Sequence, residues 1–155
     1  MDTNNRTMGF LLHDVARLLR KRFEQNARGS GLTRSQWQVL AYLDRNDRIQ
    51  QGALAELLEI QPITLGRIVD KLQTLGLVER LPHPTDRRTW LLRLTAKAKP
   101  KLELLKAIGD RTRGEALHNV SETDQERLLK LLTTLKGNLA SACATPPVQK
   151  RANHG

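Results

Sequence analysis

The sequence predicts a mainly α-helical protein with one small β-hairpin wing, and three observations carry that expectation. Residues 54–75 read as a short helix, a tight turn and a second helix; residues 77–94 read as two strands around a proline-bounded basic loop; amphipathic helices flank both. That order describes a winged helix-turn-helix whose flanking helices form a dimerisation region.

The first helix is expected over about 6–28, because Leu12, Ala16, Leu19 and Phe23 repeat at helical spacing with Leu11, Val15 and Leu18 beside them. Gly29-Ser30-Gly31 ends it. Thr33-Arg34-Ser35-Gln36 then reads as a capping box opening a helix to about 45, with Trp37, Leu40, Ala41 and Leu43 facing inward. Next, Leu54, Leu58, Ile60, Leu65 and Ile68 fall where two crossing helices meet, and Ala55 is small where they come closest. Pro62 has the right φ for a first helical position and Gly76 suits a left-handed stop, so the second of these helices spans about 62–75. Its apolar side is Leu65, Ile68, Val69, Leu72 and Leu75. Ile63, Thr64, Gly66, Arg67, Asp70 and Lys71 are left facing outward.

Alternation over 77–81 and 89–94 gives two strands, and Pro82-His83-Pro84 between them forbids helix. The tip Asp86-Arg87-Arg88 puts guanidinium groups at the end of a protruding hairpin, a shape that enters a narrow, electronegative minor groove. Taken alone, these residues better suit a solvated turn with an aspartate partner. Thr95 is expected to cap a long helix to about 119, with Pro100 near its start and Leu102, Leu105, Ile108 and Leu117 apolar. Ser121-Glu122-Thr123-Asp124 resembles a second capping box, ahead of Leu128, Leu131, Leu132, Leu135 and Leu139 on one stripe. The expected organisation is a winged domain at 32–94, dimerisation helices at 6–30 and 95–140, and a disordered tail at 141–155 that includes Pro146-Pro147.

Twenty-six Lys and Arg against 16 Asp and Glu give a formal charge of +10, which calls for a polyanionic partner. Nucleic acid is the first candidate and an anionic membrane surface the second. No apolar run is long enough to span a bilayer and no signal-peptide stretch opens the chain, so a soluble cytoplasmic protein is expected. The single Cys143 excludes an internal disulfide framework. No Gly-rich phosphate loop, nucleophile elbow or His-Glu metal motif occurs, and His13, His83, His118 and His154 lack metal-ligand spacing. Neither an enzyme nor a cofactor is expected.

At these residues the chain resembles the MarR family of bacterial transcriptional regulators, and most of all its SlyA-like branch. The resemblance covers about 10–140 and rests on Leu32-Thr33 leading into Trp37, on Leu72-Gln73-Thr74-Leu75-Gly76-Leu77-Val78, on the wing Asp86-Arg87-Arg88 and on Leu94-Thr95. It extends to Thr112-Arg113-Gly114-Glu115-Ala116-Leu117 and Val120-Ser121. It implies a homodimer paired through the first helix and the last two, binding double-stranded DNA, with Arg88 in the minor groove and Asp86 bracing the loop arginines. It also implies a small aromatic carboxylate or phenolic effector held between the winged and dimer regions. Trp37 is the candidate apolar wall of that cleft and Arg17 the carboxylate partner. The first-helix cysteine on which redox sensing in this family relies is lacking here.

In such a dimer, two recognition helices occupy successive major grooves about 34–36 Å apart and read a palindromic operator. Arg67 is the expected base reader, because a guanidinium bonds both acceptors of a guanine edge. Thr64 is placed for a base or a phosphate, Ile63 for a thymine methyl and Lys71 for phosphate. Asp70 either orients Arg67 or solvates the face. Arg87 is the second wing cation. The rival reading, a low-specificity architectural or anti-silencing DNA binder, draws on the same positive charge.

Overall fold

A computed structural model describes residues 3–145. In chain order the elements are α1 (Thr3–Asn26), α2 (Arg34–Arg45), β1 (Ile49–Gln50), α3 (Gln51–Leu58), α4 (Pro62–Thr74), β2 (Val78–Pro82), β3 (Trp90–Leu94), a 3₁₀ turn (Ala96–Ala98), α5 (Lys99–Ala116) and α6 (Glu122–Ala144). One compact unit ends at Ala116 and a second begins at Leu117.

In the first unit, α1 stops at Asn26, two residues before the expected end, and Gly29 and Gly31 take left-handed φ of 86° and 78°. The capping box at α2 is complete: Gln36 N donates to Thr33 Oγ1 at 3.3 Å and Thr33 N to Gln36 Oε1 at 3.0 Å. Val39, Leu40 and Leu43 are the residues of α2 that become buried, whereas Trp37 and Ala41 are only half-buried.

The turn between α3 and α4 uses no glycine. Glu59 adopts φ 53°, and its N–H and that of Ile60 donate to Glu56 and Ala55 carbonyls, both at 3.1 Å. A left-handed L residue costs about 1–2 kcal/mol, so this corner is held by what surrounds it, chiefly the buried Ala55 at the crossing. α4 ends in the paired bonds of a Schellman stop: Gly76, at φ 73°, donates to Gln73 O at 2.9 Å, and Leu77 donates to Leu72 O at 3.0 Å. The stop corrects the expected inward position of Leu75. Because the helix finishes at Thr74 and the chain reverses, Leu75 is exposed and Leu77 takes the buried place.

The hairpin is part of a three-stranded antiparallel sheet in the order β1-β3-β2. β2 and β3 pair from Val78↔Leu94 to Pro82↔Trp90, and the two-residue β1, which sequence alternation does not reveal, adds Ile49↔Leu92 and Gln50↔Leu91. Glu79 and Arg93 face each other across the register and form an ion pair, with Arg93 Nε donating to Glu79 Oε1 at 2.6 Å. Leu40 and Leu43 of α2, Leu54 of α3, Leu65, Val69 and Leu72 of α4 and Val78 and Leu92 of the sheet form one buried cluster. Each such side chain contributes about 1.5–3 kcal/mol of burial free energy, which turns the apolar side of α4 inward.

Thr95 does not cap a long helix. Its hydroxyl donates to Gly76 O at 2.5 Å, tying the strand exit to the α4 stop, and the chain makes a 3₁₀ turn before α5 begins at Lys99. α5 ends at Ala116, three residues early, and Asn119 turns with φ 61°. Polar contacts join α5 to α1: Arg22 pairs with Glu115, and Asn26 Nδ2 donates to Thr112 Oγ1 at 3.0 Å. The ion pair holds the Glu115 carboxyl below the usual carboxylate range and raises the Arg22 guanidinium, the Arg22–Glu115 hydrogen bond being the main cause of both. On α1, Phe23 and Ala16 are half-buried, while Leu11, Leu12, Val15, Leu18 and Leu19 are exposed in the single chain.

In the second unit, Ser121 Oγ accepts from Asp124 N at 3.2 Å. The box is one-sided among the described residues, because aspartate is a carbon shorter than the glutamate or glutamine that reaches back. α6 continues to Ala144, so the helix occupies 141–144, where a disordered tail was expected to start, and carries Cys143 exposed. Pro146-Pro147 and the polar ending lie outside the described residues. Leu128, Leu131, Leu132 and Leu139 are exposed along α6.

Candidate nucleic-acid interface

Burying Leu65, Val69 and Leu72 leaves the opposite side of α4 to solvent. Ile63 is 68% exposed, and Thr64, Arg67 and Lys71 are exposed beside it. Among the described residues neither Arg67 nor Lys71 has an ion-pair partner. Asp70 does not serve Arg67. Its carboxylate pairs instead with Arg80 of β2, Oδ1 lying 2.7 Å from Nη1.

Arg80 is the most connected side chain of this region. Its Nε donates to Gln51 Oε1 at 3.1 Å, Nη1 to Gln73 Oε1 at 2.7 Å, and Nη2 to the Gly66 carbonyl at 3.2 Å. Gly66, expected to face outward, is half-covered on the side nearest Gln51, whose Nε2 would lie 3.6 Å from an added Cβ.

The wing loop is organised by Asp86 and His83. Asp86 Oδ1 accepts from the backbone N–H of Arg88 and Oδ2 from the Thr89 hydroxyl, each at 2.9 Å. These bonds, the Arg88 N–H foremost, hold the Asp86 carboxyl below its ordinary value. His83 Nδ1 accepts from Asp86 N at 3.1 Å and Thr85 N at 3.2 Å. The expected brace is therefore built through the Arg88 N–H and the Thr89 hydroxyl rather than guanidinium groups. The side chains of Arg87 and Arg88 remain exposed and without an ion-pair partner among the described residues.

The residues expected to hold an effector are separated. Trp37 packs on Phe23 with ring centroids 4.2 Å apart and lines a cavity of about 540 Å³ together with Lys21, Arg28, Leu32 and Arg34. Arg17 is not among the lining residues; it stands exposed on α1, 3.7 Å from Asp14. The two expected partners are twenty residues apart on separate helices; Arg17 shares a helical row with Lys21 and Gln25 but lies one turn nearer the start of α1, short of the cavity. Among the described residues no cluster of His, Cys, Asp and Glu could hold a metal ion, and no helix is long and apolar enough to cross a membrane.

Comparison with known proteins places this geometry in a family. Residues 30–89, from the end of the α1 turn through the wing, match the MarR family. A crystallised transcriptional regulator designated PA3341 is 31% identical, with 86% of this chain and 98% of that one covered and a TM-score of 0.74. The chain belongs to the MarR family. A mutant of MarR from E. coli, crystallised in complex with operator DNA, is 26% identical over 87% of this chain and 99% of its own, with a TM-score of 0.68. A MarR transcriptional regulator from Methanosarcina mazei Go1, at 23% identity and a TM-score of 0.79 over 88% of this chain and 99% of that one, shares the fold.

Within this MarR fold, sequence reasoning passed over Arg80, His83 and the loop-facing hydroxyl of Thr89. The first left a signal. Strand alternation puts Arg80 on the same side as the buried Val78, where an arginine demands acceptors. His83 and Thr89 left none, because their partners, the Asp86 N–H for His83 and the Asp86 carboxylate for Thr89, are brought near only when the loop closes.

Proposed function

We propose that this MarR-family protein is a homodimeric transcriptional regulator of the SlyA-like kind that reads a palindromic operator in double-stranded DNA. In this reading α4 enters the major groove, with Arg67 on a guanine edge, Ile63 against a thymine methyl, Thr64 on a base or phosphate and Lys71 on phosphate. The wing carries Arg88 into the minor groove with Arg87 beside it, and Asp86 shapes the loop. The observation that carries the reading is that Arg67, Lys71, Arg87 and Arg88 are exposed and unpaired among the described residues, while the acids near them, Asp70 and Asp86, are committed to structural partners. The complex of the E. coli MarR mutant with operator DNA supports it.

Dimerisation draws support from the large apolar side chains left exposed on α1 and along α6, which pairing of two copies would cover. For an aromatic carboxylate or phenolic effector, the Trp37 cavity supplies an apolar wall with Arg28, Arg34 and Lys21 as cations, in the part expected of Arg17. The cytoplasm is the expected compartment.

The deciding experiment is selection of bound duplexes from a random DNA pool under competition at physiological salt. A palindrome with half-sites about one helical turn apart supports the reading. Tight, salt-sensitive binding without a motif favours the architectural reading that the +10 charge also fits, and no binding overturns both.

A further inference from the structure

We propose that Arg80 is a positioning residue for DNA reading: it locks the rotation of α4 against the wing strand, so that the major-groove and minor-groove contacts of one protomer act in a single register. The inference rests on the DNA-binding reading above. Arg80 sits on β2, yet all four of its acceptors belong to the two helices of the helix-turn-helix: Gln51 at the start of α3, and Gly66 O, Asp70 and Gln73 along α4. Four of the five guanidinium hydrogens are committed in this way, and the side chain is only 18% exposed. Residues 66, 70 and 73 form one helical row, next to the row that holds Arg67, Lys71 and Thr74. The wing strand therefore grips one flank of α4 and leaves the adjacent flank, with its unpaired cations, free to face DNA.

The apolar core alone fixes this rotation less sharply. Leu65, Val69 and Leu72 present rounded surfaces that tolerate several degrees of roll, whereas a planar fork bonded to acceptors one and two turns apart does not. The same grip neutralises Asp70, which otherwise stands on the DNA-facing side as a lone carboxylate beside phosphate. Rotation of α4 and placement of the wing tip are thus coupled through one side chain whose own role is not to touch a base.

The test compares full-length wild type with Arg80→Lys and Arg80→Gln, measuring affinity for the selected operator and for an unrelated duplex across a salt series. Lysine keeps the charge but offers one donor centre and cannot span the four acceptors. We expect Arg80→Lys to keep its helical circular dichroism and its unrelated-duplex affinity within about twofold, while operator preference falls by about tenfold or more. Amide hydrogen exchange of the free protein should quicken together over 62–68 and 83–89 in this variant. Equal losses on both duplexes, or retained operator preference in Arg80→Lys, overturn the proposal. A salt slope lowered by about one per protomer in Arg80→Gln and restored in Arg80→Lys also overturns it, by making Arg80 a phosphate contact. If the wild type itself shows no operator preference, the DNA-reading proposal fails, and unlinked exchange in the two segments separately removes the grip.

Discussion

Replacing Gly76 by alanine tests the stop that joins the recognition helix to the wing. Gly76 has φ 73°, where the Cβ of an L residue crowds the following carbonyl at a cost of about 1–2 kcal/mol. The methyl group itself meets only Lys97, with Cδ at 3.4 Å and Nζ at 3.6 Å, the far end of a flexible side chain that can withdraw. Alanine also narrows the unfolded ensemble, an effect of about 0.4–1 kcal/mol in the opposite direction. The expected net loss is about 1 kcal/mol, which at an m-value of about 1–3 kcal/mol/M moves the urea midpoint down by about 0.3–1 M with m unchanged. The assay is urea unfolding followed by circular dichroism at one fixed protein concentration. Gly76→Asn should lose less than alanine, since asparagine tolerates the left-handed region. Gly114→Ala, inside α5 with open space around its added Cβ, should gain about 0.5–1 kcal/mol. A Gly76→Ala protein as stable as wild type would refute the argument that this left-handed stop, and not the core beneath it, limits the junction.

Arg67→Ala should relax preference at a specific operator position by about 1–3 kcal/mol, read from selected sequences, whereas Arg88→Ala should lower affinity chiefly through the minor groove; equal, sequence-blind losses from both would refute that division of labour. Because hydrogen bonds in the folded wing depress the Asp86 carboxyl, their contribution is fully present above its ordinary value and disappears as pH falls through the depressed folded one. Amide protection in the wing, corrected for the intrinsic pH dependence of exchange, should therefore be flat from neutral pH down to the ordinary aspartate range and fall only in stronger acid, and Asp86→Asn should lower it at neutral pH. Thr33→Ala removes one half of the α2 capping box and should cost about 1 kcal/mol in the same urea assay. Tryptophan fluorescence titrated with an aromatic carboxylate should respond through Trp37 in wild type and in Arg17→Ala alike, and lose its affinity in Arg34→Ala; the reverse pattern would restore Arg17 to the site.

Much of the fold lies in local rules that act on neighbouring residues. Thr33 and Gln36 cap α2 because they are three apart, Pro62 opens α4 because its φ is already helical, and Gly76 closes it because only glycine takes that φ freely. The exposed stripe Ile63, Thr64, Arg67 and Lys71 follows from the period of Leu65, Val69 and Leu72 by the same local logic. Sequence alone therefore determined the order of the helices and of the two wing strands, and the outward positions of Ile63, Thr64, Arg67 and Lys71 on α4. Tertiary structure decided what depends on distant partners. β1 is too short for alternation to mark it and exists because β3 offers Leu91 and Leu92. Thr95 abandons the cap because the Gly76 carbonyl, nineteen positions away, takes its hydroxyl. Asp70 turns to Arg80 rather than Arg67 because β2 passes the flank of α4, and Arg17 misses the Trp37 cavity because only the later turns of α1, from Lys21 on, line it. Period and capping are properties of a few consecutive residues, whereas the choice of an ion-pair partner or a cavity wall is made by packing between segments that the chain holds far apart.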